Sequence, residues 1–210
     1  MTAVSYNVEL DRDALREAIS LFEFVGGNSD DALRVAINKA GPKVRTIASR
    51  AIRSQVNLKA AYVNERLTFK RATRADLSGA IKTTARGLLL SRYSTDTAAH
   101  GYGSAPKVPP LGIRVKIKPG SAPKIVTGDA ETVGKPFYMV LKDSDAIGIV
   151  ARLKNPGPNG GKIKAFYGPS LSQVFNTVRD DVLPAARAEL QAQLLDAMRY
   201  LLAKQYPREA

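Results

Sequence analysis

Few residues in this chain can do acid–base, metal or nucleophile chemistry, and their spacing is poor for it. The single histidine, His100, lies in Ala99-His100-Gly101-Tyr102-Gly103. A general base or metal ligand needs partners, and without cysteine only carboxylates remain. Asp96 is the one acid within ten residues of it, so His100 reads as a solvent-exposed loop histidine. Asp143 and Asp145, in Lys142-Asp143-Ser144-Asp145, offer a carboxylate pair for acid–base work or a hard cation. The preferred reading is a tight hairpin turn, in which Asp and Ser side chains satisfy local backbone donors. Asp180 and Asp181 are neighbours on a predicted helix and point in different directions, so they form no shared site. Gly101-Tyr102-Gly103-Ser104 and Asn159-Gly160-Gly161-Lys162 look like phosphate loops. Both lack the spaced glycines, the Lys-Ser/Thr ending and the strand-then-helix setting that phosphate cradling requires. No nucleophile–base–orienter set can be assembled. The residues therefore predict a protein that is not an enzyme, with no catalytic residue, metal, cofactor or small-molecule substrate.

Positive charge is what the chain has in quantity. Lys and Arg number 32 against 19 Asp and Glu, a formal net charge of +13. It is unevenly spread: residues 1–30 carry −4, 31–92 carry +11, 93–165 carry +6 and 166–210 carry 0. An acidic beginning and a basic middle predict self-association or a polyanionic partner. Two cationic sets are candidates for that contact. Lys39, Lys43, Arg50 and Arg53 cluster on one face of a predicted helix, and Lys70, Arg71 and Arg74 crowd the stretch Lys70-Arg71-Ala72-Thr73-Arg74. They fit a phosphate backbone, a solvated helix face with charged sheet edges, or an acidic surface such as the first helix of a neighbouring copy. No base-reading motif is present, so any DNA contact would be sequence-independent.

The elements that hold these residues follow from periodicity. At 210 residues with 44% hydrophobic residues, the chain can bury a real core. Aromatics are sparse at 7% and Trp is missing, which suits aliphatic packing better than a base-stacking platform. No apolar run is long enough to span a bilayer, and residues 1–10 lack a signal-peptide pattern, so neither a membrane partner nor secretion is expected. Leu15, Ile19, Phe22 and Val25 predict a first amphipathic helix capped by Asp11 or Asp13, an acidic arm over 1–28. Ser29-Asp30-Asp31 starts a second helix, with Leu33, Ile37, Ala40, Val44, Ile47 and Ala51 as its apolar stripe and a kink or restart at Pro42. A short helix over 58–66 follows, then strands over 67–71 and 77–84 joined by a turn at 73–76. Residues 92–110 read as a long surface loop. Ile113, Val115 and Ile117 alternate with Arg114, Lys116 and Lys118, a half-buried strand with a cationic outer face. Strands over 124–127, 137–142 and 147–153 continue the sheet, and 155–161 is an exposed turn. A helix over 170–204 closes the chain, bent or restarted at Pro184. The class is α+β: N-terminal helices, a mostly antiparallel sheet in the middle and a long C-terminal helix packed on it, with 29–210 forming one domain.

Two stretches resemble a known family. Ala36-Ile37-Asn38-Lys39-Ala40-Gly41-Pro42-Lys43-Val44-Arg45-Thr46-Ile47-Ala48-Ser49-Arg50, then Leu58-Lys59 and Phe69-Lys70-Arg71-Ala72-Thr73, is similar to the start of the phage minor tail protein Z family. Lys164-Ala165-Phe166-Tyr167-Gly168-Pro169-Ser170-Leu171 is similar to that family's Tyr-Gly-Pro-Ser segment before its last helix. Pro42 and the 92–110 loop depart from the pattern. The resemblance implies a tail-completion or neck protein in the virion of a tailed bacteriophage, assembled in the host cytoplasm. It implies a six-fold homo-oligomeric ring around the DNA channel, with the tail terminator and head connector as partners, and carries over no catalytic residue. In the residues themselves, Gly168 permits a sharp turn, Pro169 fixes φ near the helix start and Ser170 can cap it.

Overall fold

Asp30 and Asp31 place carboxylates at the free N–H groups of a first helical turn, where the helix dipole favours them. Helix α1 (Ser29–Gln55, 27 residues) begins there in a computed structural model that describes residues 5–7, 29–95, 111–128, 132–141, 146–154 and 163–205. The predicted stripe is buried at Leu33, Ile37, Ala40 and Val44 and only half-buried at Ile47 and Ala51. Beyond Val44 the buried line steps by four through Ala48 and Ile52, a rotation of about 40° per step around the helix. There is no restart at Pro42, and the helix is continuous through it. Pro42 is exposed while Ala40, Gly41 and Val44 are buried, so packing on the inward side carries the helix past one missing N–H.

The chain divides into two compact units. The first comprises Met1–Ile52, Ala60–Ala85 and Ser172–Ala210, and the second Arg53–Lys59 and Arg86–Leu171. The class is mixed α+β.

In the first unit, α1 is followed by α2 (Ala60–Arg66) and a three-stranded antiparallel sheet. Its order is β1 (Ser5–Asn7), β3 (Ala80–Lys82), β2 (Thr68–Lys70), with Tyr6 and Phe69 both opposite Ile81. Strand β1 falls inside the segment predicted as a helical arm, whose helix over Leu15, Ile19, Phe22 and Val25 lies outside the described residues. Strands β2 and β3 are shorter than predicted because the connection takes up their flanks. Thr73 N donates to Asp76 O at 2.8 Å, and Asp76 Oδ1 accepts from Ser78 N at 3.1 Å. The last helix, α3 (Leu171–Gln205, 35 residues), runs through Pro184 without a second start. Its Leu190 and Leu194 pack, as Phe69 does, on Leu33, Ile37 and Ala72, and small residues Ala32, Ala36 and Ala197 form a further buried cluster with Met198 and Leu201.

In the second unit, β4 (Leu88–Leu89) pairs with β10 (Tyr167–Gly168), and β5 (Arg114–Val115) with β6 (Lys124–Ile125). Strands β7 (Phe137–Leu141), β8 (Ala146–Arg152) and β9 (Ile163–Ala165) form an antiparallel sheet in that order. The predicted continuous middle sheet is therefore divided into small ladders. Ile113 and Val115 are buried and Arg114 and Lys118 exposed, so the cationic outer face is present. The strand itself shortens because its flanking groups bond elsewhere: Lys116 N donates to Tyr93 O at 2.8 Å and Ile117 O accepts from Asn57 N at 2.7 Å. The predicted loop over 92–110 starts too early. Arg92 and Tyr93 end a 3₁₀ turn (Leu90–Tyr93), and Tyr93 is 1% exposed. His100, Gly101, Gly103 and Ser104 lie outside the described residues, as do Asp143, Asp145 and 155–161.

Candidate polyanion and partner interface

The seven cations singled out by the sequence separate into different environments. Lys43 Nζ lies 2.6 Å from Glu189 Oε1, joining α1 to α3. Lys70 Nζ lies 2.7 Å from Asp76 Oδ2. Arg74 Nη2 approaches Asp31 Oδ2 at 3.4 Å, and Asp31 also receives Arg34 at 3.1 Å. Arg53 is half-buried, with its Nε buried and lacking a hydrogen-bond partner among the described residues. Lys39, Arg50 and Arg71 are exposed and form no ion pair among the described residues. Three cations of the original set, all in the first unit, thus have no ion-pair partner among the described residues.

The paired carboxyls respond accordingly. The hydrogen bond from Lys70 lowers Asp76 to about 2, with Ser78 adding to the effect. Asp31 is lowered chiefly by Arg34 and further by Arg74, and Glu189 chiefly by Lys43 and further by Gln193. All are surface groups, so the pairs fix geometry more than they stabilise the fold.

Backbone clamps hold this charged segment in place. Asn38 Nδ2 donates to Ala72 O at 3.0 Å while Ala72 N donates to Asn38 Oδ1 at 2.9 Å. This two-way bond ties the 70–74 stretch to α1. The Phe69 ring lies over Gly41, where an added Cβ would stand 2.1 Å from Cζ. Beside them is a cavity of about 60 Å³ lined by residues such as Ile37, Val44, Phe69, Ile81 and Leu190. Every lining residue is apolar or glycine, so the cavity offers no group for proton transfer or metal binding. Among the described residues no group of three or more His, Asp or Glu is placed to hold a metal ion. Among the described residues no helix is long and apolar enough to cross a membrane.

The Tyr167-Gly168-Pro169-Ser170 segment occupies a defined place in the second unit. Tyr167 is exposed, and Gly168 ends β10. Among the described glycines only Gly112 has positive φ (78°), so a special turn conformation is not why glycine stands at 168. The reason is steric: a Cβ there would lie 2.6 Å from Tyr93 Cε2. Pro169 precedes Ser170, the residue immediately before α3, and Ser170 is buried.

No family model, curated protein or solved structure matches this chain.

The charge contrast between the two units is the feature that linear reading missed. The first unit holds 17 Lys/Arg and 14 Asp/Glu. The second holds 15 Lys/Arg and five acids, Asp96, Asp129, Glu131, Asp143 and Asp145. All five acids lie outside the described residues, so the described part of the second unit contains no Asp or Glu. Even if each acid neutralised one cation, ten would have no counter-charge within that unit. Windows along the chain conceal this, because 31–92 mixes residues of both units.

Proposed function

We propose that this chain is a non-catalytic structural protein of a tailed bacteriophage particle, forming a ring at the head-proximal end of the tail beside the DNA channel. The observation that carries the reading is the unequal charge of the units: ten of the thirteen net positive charges reside in the second. A ring subunit needs two different faces that complement each other in successive copies, and a channel beside DNA favours a cationic face. The near-balanced helical unit suits contacts between copies, and the basic unit suits the polyanion. Leu195 and Tyr200 on α3, 49% and 70% exposed, are apolar surface of the sort an assembled neighbour covers. The segments similar to minor tail protein Z point the same way, with the tail terminator and head connector as adjoining proteins. A phage carrying a null allele should yield heads and tails that fail to join, with joining restored by the chain supplied in trans. Full infectious particles from the null allele would refute it.

The excess of ten cations also favours a second reading, a sequence-nonspecific nucleic-acid-binding module acting outside any particle. Six or more phosphate contacts imply an affinity loss on the order of a thousandfold between 50 and 200 mM salt. On this reading that salt dependence is seen while the null allele leaves particles complete.

A further inference from the structure

We propose that the β5–β6 hairpin of the second unit is a contact surface for the phosphate backbone of duplex DNA. The inference rests on the proposed position beside DNA for its setting, while binding by the purified chain is tested independently of any particle.

The hairpin is built to present charge on a fixed base. Arg114 pairs with Ile125 and Val115 with Lys124, and Val126 N donates to Ile113 O at 2.8 Å to extend the ladder. Its root is anchored by buried Ile113 and Val115 and by the backbone bonds to Tyr93 and Asn57. Its end is closed by Ser121, whose N and Oγ donate to Lys118 O at 3.2 and 3.0 Å. Gly120 is exposed, with no atom within 4 Å of where a Cβ would stand. Arg114 lies in β5, and Lys116 and Lys118 follow it in the connection to β6, with Arg114 and Lys118 exposed and Lys116 half-buried. Lys124 stands exposed on the returning strand, and its pairing with Val115 puts it on the opposite face from Arg114. Pro119 and Pro123 flank the end and stiffen it, so little order is lost when a ligand binds.

The sign uniformity decides between partners. Protein surfaces intersperse both signs, and an interface to one gains from acids placed among its bases. A phosphate backbone is negative throughout, about one charge per 1.7 Å of duplex, and rewards a surface of one sign. The hairpin, residues 111–128, contains four cations and no acid. The hairpin carries no Asn, Gln, Asp or Glu to read adenine or cytosine edges, so its cations are assigned to the backbone.

The test uses the full-length purified chain and a labelled 30-base-pair duplex of random sequence, with affinity measured from 50 to 200 mM NaCl. The triple variant Lys116→Gln, Lys118→Gln, Lys124→Gln should flatten the log–log salt slope by about 2.7 and weaken binding on the order of a hundredfold at 100 mM salt. The triple variant Lys39→Gln, Arg50→Gln, Arg71→Gln removes the same charge from the first unit and should change the slope by less than about one. Circular dichroism should show both variants folded, since five of the six residues are exposed and Lys116 keeps its aliphatic stem in glutamine. Equal weakening by both variants would overturn the assignment, as would a salt slope near zero in the parent chain. Competition by poly-glutamate as strong as that of DNA at equal charge would overturn it in favour of an acidic protein partner. Loss of the particle phenotype with DNA binding intact would remove the neck reading and leave this one standing.

Discussion

The Tyr93 hydroxyl donates a hydrogen bond to the Pro169 carbonyl oxygen at 3.1 Å, across 76 residues of sequence. The same ring covers Gly168, so one buried tyrosine closes the second unit's chain at the point where it leaves for the last helix. Around it, Ser94 Oγ and Tyr138 Oη share a short hydrogen bond, and Ser91 donates to the Ile147 carbonyl.

Two substitutions separate the polar from the steric part of this contact. Tyr93→Phe removes the donor and should cost about 1 kcal/mol in urea unfolding. Gly168→Ala forces a methyl group to within 2.6 Å of the ring and should cost more, about 1–3 kcal/mol from overpacking. Equal stability of Gly168→Ala and the parent chain would contradict the packing described.

Gly41 and Phe69 make a second such pair in the first unit. A Cβ at Gly41 meets three ring atoms at 2.1 to 2.5 Å, so Gly41→Ala should destabilise by about 2 kcal/mol or more. Its usual gain in helix propensity, about 1 kcal/mol, acts the other way and is outweighed. Phe69→Leu in the same chain should recover part of the loss, because the flat ring is what the methyl group strikes. A double mutant no more stable than the two losses added together would show that the residues do not meet.

Asp76 gives a pH dependence of defined sign. Its carboxyl is held at about 2 in the folded chain, below the ordinary 3.8, first by Lys70 and then by Ser78. Between these values the unfolded chain binds a proton that the folded chain does not, so stability rises with pH through this window. The contribution is complete above the ordinary value and is lost as pH falls through about 2. Asp31 and Glu189 act in the same direction. Carboxyl NMR titration should place Asp76 near 2 and move it upward in Lys70→Met. A midpoint unchanged by that substitution would contradict the Lys70 contact.

Parts of this architecture are legible in sequence because their causes are local. The start of α1 follows from Ser29-Asp30-Asp31 and a 3.6-residue stripe, and the β5 face follows from strict alternation of apolar and cationic residues. Other parts depend on residues far apart in the chain. Lys43 and Glu189 are 146 residues apart, so nothing along the helix shows that this candidate cation is already paired. Tyr93 lies in the polar string Ser91-Arg92-Tyr93-Ser94-Thr95, which reads as loop, and becomes core only because β5 and the Pro169 carbonyl reach it. Lys70 and Arg74 look like half of a basic patch until the turn brings Asp76 and α1 brings Asp31 beside them. The basic unit is gathered from 53–59 and 86–171, a grouping that no linear window reproduces.

The central claim is that this chain is a ring-forming component where a phage tail meets its head. Electron cryomicroscopy of particles purified from a phage encoding it tests that claim most directly. The prediction is a closed ring of density at the head-proximal end of the tail, fitted by copies of α1, α3 and the small β-ladders, with the chain detected in the same particles by mass spectrometry. Purified, complete particles in which the chain is missing would contradict it.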